Sequence, residues 1–155
     1  LADALAGLGR REEAVHAYEA LADVVPPTDR RYAVQRRGRL LGVQAAIRRG
    51  EYDAALEELG RLEWETPHER MDDETGLLRV ECHLAQADFR HAAATLDRLL
   101  KIQSASPRVP EMLYLQMKAS QGLKDSAGFQ TAYARLQKEF PYAAETAWAS
   151  RLAQK

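Results

Sequence analysis

Apolar residues recur at one fixed set of offsets in three stretches of the chain. Counted from the small residues Gly9, Gly50 and Ala87, apolar side chains follow at offsets of 5, 6, 9 and 12 residues. The three sets are Ala14, Val15, Tyr18 and Leu21, then Ala55, Leu56, Leu59 and Leu62, and finally Ala92, Ala93, Leu96 and Leu99. Steps of three and four residues place side chains on one stripe of an α-helix. The pattern therefore predicts three amphipathic helices, each beginning just after a tight turn at its small residue.

Further helices are predicted between the repeated stretches, because apolar residues keep helical spacing there. These helices cover residues 29–49, 68–86 and 110–121. Prolines and capping residues mark the breaks, at Pro26-Pro27-Thr28, Thr66-Pro67-His68-Glu69 and Ser106-Pro107. No segment alternates apolar and polar residues with a period of two, and no Asn-Gly or Asp-Gly hairpin signal occurs. The sequence thus predicts an all-α fold.

A fourth copy of the pattern is degenerate. Its expected turn residue is Gly122, which gives turn spacings of 41, 37 and 35 residues along the chain. The apolar positions and the proline that follow fit a register two residues later, at Phe129, Tyr133, Leu136 and Pro141. Residues 142–153 then predict a closing helix with Trp148 and Leu152 on its inner side.

In these positions the chain resembles the tetratricopeptide repeat (TPR) family. That family has a small residue at the hairpin turn, an Ala opening the second helix, an aromatic residue or Leu four residues later, and a closing Pro. The matching sets are Gly9, Ala14, Tyr18 and Pro26, then Gly50, Ala55, Leu59 and Pro67. The third unit keeps Ala87, Ala92 and Leu96 but delays its proline to Pro107. The resemblance covers essentially the whole chain and implies a right-handed α-solenoid of antiparallel helix pairs, a TPR-like superhelix.

This solenoid is expected to form a single domain over residues 1–155, with about 3.5–4 repeats plus a closing helix. The expected units are approximately residues 1–26, 28–66, 67–106 and 107–140, followed by the closing helix at 142–153. Because the chain starts partway through a helical pattern, we also expect it to be part of a longer protein.

The resemblance implies a non-catalytic scaffold that binds a protein or peptide segment in the concave groove, which the first helix of each pair lines. Transferred by position, the groove candidates are Arg37, Gln44, Arg48, Glu74, Glu81, Gln116 and Ser120. Chaperone-binding members of the family need Lys and Asn at groove positions. This chain contains no Asn, so chaperone binding of that kind is not expected. Self-association through the repeat ends is a further possibility.

The tail RLQKEFPYAAETAWASRLAQK resembles repeats of bacterial cell-envelope proteins, such as outer-membrane assembly lipoproteins and polysaccharide-export scaffolds. This resemblance implies a role in envelope assembly or in polysaccharide or protein export. It favours the bacterial periplasm slightly over the cytoplasm, and the compartment stays open.

Charge is distributed in blocks. Residues 30–50 carry seven arginines and no acid, whereas residues 51–81 carry eleven acids and three arginines. Such blocks predict either a polarised surface that steers a charged partner or neighbouring helices that complement each other. The alternative function is a nucleic-acid-binding or regulatory helical-repeat module that uses the basic block Arg30–Arg49. A formal net charge of −1 gives no overall argument for nucleic-acid binding, and a protein or peptide is the expected partner.

The sequence predicts no enzyme, no cofactor and no metal site. Cys82 and His83 are adjacent on a helix, so their side chains point about 100° apart and make a poor metal pair. His91 could approach His83 across the turn, but two ligands do not make a site. The rival hypothesis is a metal-assisted or cysteine enzyme that uses Cys82, His83 and His91. No run reaches the roughly 18 apolar residues of a membrane helix, so no membrane insertion is expected.

Overall fold

The computed structural model describes residues 2–24, 29–65 and 72–154. Within them every regular element is helical and no strand occurs, which confirms the all-α prediction. The helices are α1 (Ala2–Gly7), α2 (Arg11–Val24), α3 (Asp29–Arg48), α4 (Tyr52–Glu65), α5 (Asp73–Ala85), α6 (Phe89–Ile102), α7 (Val109–Leu123), α8 (Ser126–Glu139) and α9 (Ala144–Ala153). The predicted breaks at Pro26-Pro27-Thr28 and Thr66-Pro67-His68-Glu69 lie outside the described residues.

The chain divides into two compact units, Leu1–Arg70 and Met71–Lys155. In the first unit α1 packs against α2, α2 against α3, and α3 against α4. In the second unit α5 to α8 pack successively in the same way, and α9 packs against both α7 and α8. Each unit is thus built from helices that pack on their chain neighbours, while the continuous right-handed solenoid stays a prediction.

Four of the helix-to-helix turns share one backbone conformation. Gly9, Gly50, Ala87 and Lys124 have φ values of 75°, 78°, 57° and 58°, in the left-handed region. In the α5–α6 turn, the Ala87 N–H donates to the Leu84 carbonyl at 3.1 Å and the Asp88 N–H donates to the His83 carbonyl at 2.8 Å. The other three turns repeat both bonds at the same sequence separations. This is the Schellman motif, which ends one helix while the next residue begins another.

The fourth turn lies at Lys124, so the prediction of Gly122 was wrong by two residues. Gly122 is inside α7, where a Cβ atom would lie 2.4 Å from Cγ of Phe89. A glycine is therefore needed at position 122 because the Phe89 ring of α6 packs directly on the backbone there. Counted from Lys124, the apolar residues Tyr133 and Leu136 stand at offsets 9 and 12, as in the other copies.

Replacing Gly122 tests this close approach. We expect Gly122→Ala to lower the free energy of unfolding by about 1–3 kcal/mol, because the added methyl group overpacks the contact with Phe89. Gly60 in α4 is a matched control, since nothing lies within 4 Å of an added Cβ there. Gly60→Ala should raise stability by up to about 1 kcal/mol through helix propensity. Urea unfolding followed by circular dichroism measures both, and a stabilised Gly122→Ala would contradict the packing role.

The repeated apolar positions form the cores of both units. In the second unit Ala92, Leu96 and Leu99 are fully buried and pack with Leu77, Val80, Met112 and Ala119. In the first unit Ala14 and Tyr18 pack with Ala2 and Leu41. The sequence pattern therefore identified most of the buried helix stripes correctly.

Two expected inner positions are displaced by one residue. Leu21 is 41% exposed, and the neighbouring Ala22 is buried in its place. Trp148 is 45% exposed, whereas Ala149 is fully buried. The Trp148 ring instead meets Tyr114 edge to face, with centroids 5.8 Å apart. In both helices the small Ala occupies the tight contact and the bulkier neighbour lies at the boundary with solvent.

Candidate functional site

A cavity of about 650 Å³ lies in the first unit between α2, α3 and α4. Gly38, Gly42 and Ala46 form its floor, because residues four apart lie on one face of α3. Its apolar walls include Tyr18 and Ala22 of α2 and Ala55 and Leu62 of α4. Nothing lies within 4 Å of a Cβ atom built on Gly42, so the missing side chain leaves this volume open. We call this feature the α3 groove.

Ion pairs border the α3 groove. Arg39 donates to the carboxylates of Glu58 and Glu65, which ties α3 to α4. Although burial disfavours its charge, these two hydrogen bonds raise the pKa of Arg39. Arg49 pairs with Glu12 and Glu51, each at 2.9 Å. These two arginines of the basic block are therefore paired with four glutamates, three of which lie in the acidic block of residues 51–81. This pairing is expected if the charge blocks complement each other within the fold.

Tyr32 supplies a polar group to the groove lining. Its Oη atom is buried and makes no hydrogen bond within the part of the chain that the structure describes. A buried hydroxyl without a partner costs free energy, so a bound carbonyl group would be a favourable neighbour for it.

The groove candidates predicted on α3 lie on a different face of the helix. Arg37, Gln44 and Arg48 are each at least 100° around the helix axis from Gly42, and none of them lines the α3 groove. The Gln44 side-chain oxygen accepts a hydrogen bond from Arg11 Nε at 3.4 Å. Arg48 is exposed and lines a smaller cavity of about 300 Å³ that Arg11 also borders.

The predicted groove residues of the second unit differ widely in exposure. Glu81 is exposed and Glu74 is half-buried. Gln116 donates from Nε2 to Asp97 Oδ1 at 2.6 Å, which links α7 to α6. Ser120 is only 5% exposed, and its carbonyl accepts the Asp125 N–H at 2.9 Å in the α7–α8 turn. Ser120 thus belongs to the turn packing, whereas Glu81 is accessible.

Two histidines meet at the α5–α6 turn. The rings of His83 and His91 stack with centroids 5.3 Å apart. Asp88 faces both: its Oδ2 lies 2.7 Å from His91 Nδ1 and 3.6 Å from His83 Nδ1. Burial lowers the pKa of His83 and outweighs the opposite effect of Asp88. The adjacent Cys82 is fully buried in the core, so we treat it as a packing residue and not as a member of this group.

Sequence reasoning anticipated the approach of His83 to His91 but missed Asp88. The available signal was an Asp directly after the turn residue Ala87, at the N-cap position of α6. An N-cap carboxylate necessarily lies close to the end of the preceding helix when a Schellman turn joins the two.

Comparison of the chain with known protein families, with characterised proteins and with solved structures found no match. Among the described helices, none is both long and apolar enough to cross a bilayer. The features that bear on function are therefore the repeated turns, the α3 groove and the histidine pair with its carboxylate.

Proposed function

We propose that the chain is a non-catalytic scaffold of the tetratricopeptide type, a right-handed solenoid that holds a segment of a partner protein in the α3 groove. The observation that carries this proposal is the open groove of about 650 Å³ with a floor of Gly and Ala. The equivalent turns at Gly9, Gly50, Ala87 and Lys124 support the repeat architecture. The resemblance of the tail to envelope repeats suggests envelope assembly or export as the setting.

The dimensions and lining of the groove suit a peptide or helix with apolar side chains. Its volume falls within the roughly 300–1,000 Å³ of typical ligand sites. The open space at Gly42 allows a partner backbone to approach closely, and Tyr18 and Leu62 lie in the apolar walls. An amphipathic helix laid into such a groove inserts side chains three and four residues apart. The Tyr32 hydroxyl could then donate to a main-chain carbonyl of the partner.

Two observations favour a protein partner over catalysis or nucleic acid. The described residues that line the groove include no Ser, Cys or His. Its four glutamates, which could otherwise act as acids or bases, each form an ion pair with His16, Arg39 or Arg49. Arg39 and Arg49 are paired with acids, which weakens the field that the basic block would offer to phosphates. The proposal therefore places the binding surface on the Gly42 face of α3.

Filling the groove at Gly42 tests the proposal. Peptides are first selected from a displayed random library on the wild-type chain, and their affinities are then measured for two variants. Gly42→Leu should weaken binding by at least about tenfold, because the new side chain occupies the apolar space that the peptide needs. Gly60→Leu is the matched control, since Gly60 also lies in a helix with open space around it but does not line the groove.

Circular dichroism checks that both variants fold. Peptides that bind Gly42→Leu as tightly as the wild type would exclude the α3 groove as the binding surface. A labelled single-stranded oligonucleotide is tested alongside, and binding that weakens steeply with salt would favour the nucleic-acid alternative instead.

A further inference from the structure

We propose that His83, Asp88 and His91 form a binding site for a divalent transition-metal ion such as zinc. The site would join the end of α5 to the start of α6. Its ligands are two imidazole nitrogens and one carboxylate oxygen, and all three atoms lie within 4.8 Å of one another. This inference is independent of the α3 groove and departs from the expectation that the chain binds no metal.

The backbone holds the three ligand residues in place before any metal binds. His83 lies in the last turn of α5, and its carbonyl accepts the N–H of Asp88 at 2.8 Å. Asp88 caps α6 by accepting the His91 N–H on Oδ1 at 3.3 Å. The other carboxylate oxygen, Oδ2, is turned toward the two imidazole rings. One oxygen therefore serves the helix cap while the second is available as a ligand.

Comparison with the α7–α8 turn shows that a helix cap requires the Asp but not the histidines. There Asp125 is the N-cap and accepts the Gly128 N–H on Oδ1 at 3.0 Å, so a cap needs no histidine three residues later. A Cβ atom on Gly128 would lie 2.3 Å from Asp125 Oδ2 and 2.8 Å from Ser120 Oγ. Positions 120, 125 and 128 of this turn correspond to positions 83, 88 and 91 of the α5–α6 turn, and in both turns the three residues lie close together. In the α5–α6 turn the converging residues are all metal-binding types.

The two separations from Asp88 Oδ2 fit coordination after small side-chain adjustments. Tetrahedral zinc with bonds of about 2.0–2.1 Å holds its ligand atoms roughly 3.3 Å apart. The observed separations from Asp88 Oδ2 are 2.7 Å to His91 and 3.6 Å to His83, which lie on either side of that value. His83 Nδ1 is buried and has no hydrogen-bond partner among the described residues. A metal ion would give this nitrogen a partner that the described part of the chain does not supply.

The ligand chemistry selects the class of ion. Imidazole nitrogen suits zinc, copper, nickel and cobalt, whereas magnesium and calcium prefer sites made of oxygen alone. Three protein ligands leave a fourth tetrahedral position for water or for a group from another molecule. His91 is 71% exposed at its side chain, so this fourth position can be reached from solvent.

The test uses the full chain without a polyhistidine tag, freed of metal by a chelator and titrated with zinc chloride in a calorimeter. We expect saturable binding of one ion, and His91→Ala should weaken it by at least about tenfold. Because His91 is largely exposed, this substitution should leave the fold intact. Cobalt(II) in place of zinc should give the visible absorption of a four-coordinate ion, and His91→Ala should lose it.

His16 provides a matched control. It is an exposed histidine whose Nδ1 lies 3.2 Å from Glu19 Oε2, three residues later. Among the described residues, no second imidazole stacks on its ring. His16→Ala should bind zinc like the wild type if the three-ligand site is responsible. The proposal is overturned if the wild type shows no saturable binding, if His91→Ala retains it, or if His16→Ala weakens it equally.

Discussion

Leu96→Ala should lower the free energy of unfolding of the second unit by about 2–5 kcal/mol. Leu96 is completely buried and packs with Leu77, Val80 and Met112. Removing most of its side chain leaves a cavity that tightly packed helices cannot fill by relaxing. Small domains are stable by only about 5–15 kcal/mol, so this change would remove a large part of the total.

The two tryptophans allow this effect to be measured for the second unit alone. Trp64 belongs to the first unit and Trp148 to the second, so Trp64→Phe leaves Trp148 as a local reporter. Urea unfolding followed by Trp148 fluorescence then gives the change for Leu96→Ala. Leu123→Ala, at a position 40% exposed in the same unit, should cost less than about 1 kcal/mol. Equal losses for the two substitutions would show that Leu96 is not a central core residue.

At pH 8 the Cys82 thiol should react with iodoacetamide at least about 100-fold more slowly in the folded chain than in the chain unfolded by urea. Burial raises the pKa of Cys82 from an ordinary value of 9.0 to about 11, and the thiolate is the reactive form. A pKa higher by about two units lowers the thiolate fraction at pH 8 by about 100-fold. Its complete burial slows the reaction further, since the reagent needs a local opening.

The same pKa difference makes stability depend on pH with a definite sign. Above about pH 9 the unfolded thiol loses its proton while the folded one retains it, so the unfolded state binds fewer protons. Stability should therefore fall as the pH rises from about 9 to about 11.

The control for the iodoacetamide reaction is Cys82→Ala combined with Ser104→Cys, which places the thiol in an exposed turn. If Cys82 in the folded chain reacted as fast as this exposed thiol, its core position would be excluded.

Much of the fold could be predicted because each helical stripe and each turn leaves a local signal. The stripes around Leu59 and Leu96 were correct, since steps of three and four residues define one face of a helix. The fourth turn was missed because Lys124, with a full side chain, adopts the left-handed conformation. Gly122 was chosen because glycine is the usual residue at such turns, but its small size instead allows the contact with Phe89.

The candidate sites were harder to predict because they depend on neighbours distant in sequence. The α3 groove exists where Gly42 lacks a side chain and where α2 and α4 provide walls, and no pattern within α3 describes those walls. The resemblance pointed to Arg37 and Arg48, which lie on another face of the same helix. Asp88 was missed because metal-ligand rules for a single helix use steps of three or four residues, whereas His83 and Asp88 are joined across a turn.

The equivalent turns at Ala87 and Lys124 have a consequence for how the chain can be rearranged. Each turn is closed by its own main-chain hydrogen bonds, and the two turns are separated by 37 residues. A segment cut at the same point in both turns would have ends of matching backbone geometry. The stretch from Ala87 to Lys124 could therefore be duplicated or exchanged as a cassette, with each junction rebuilding a turn that the protein already contains. The number of helices in the second unit and the chemistry of its individual turns can then change independently of each other.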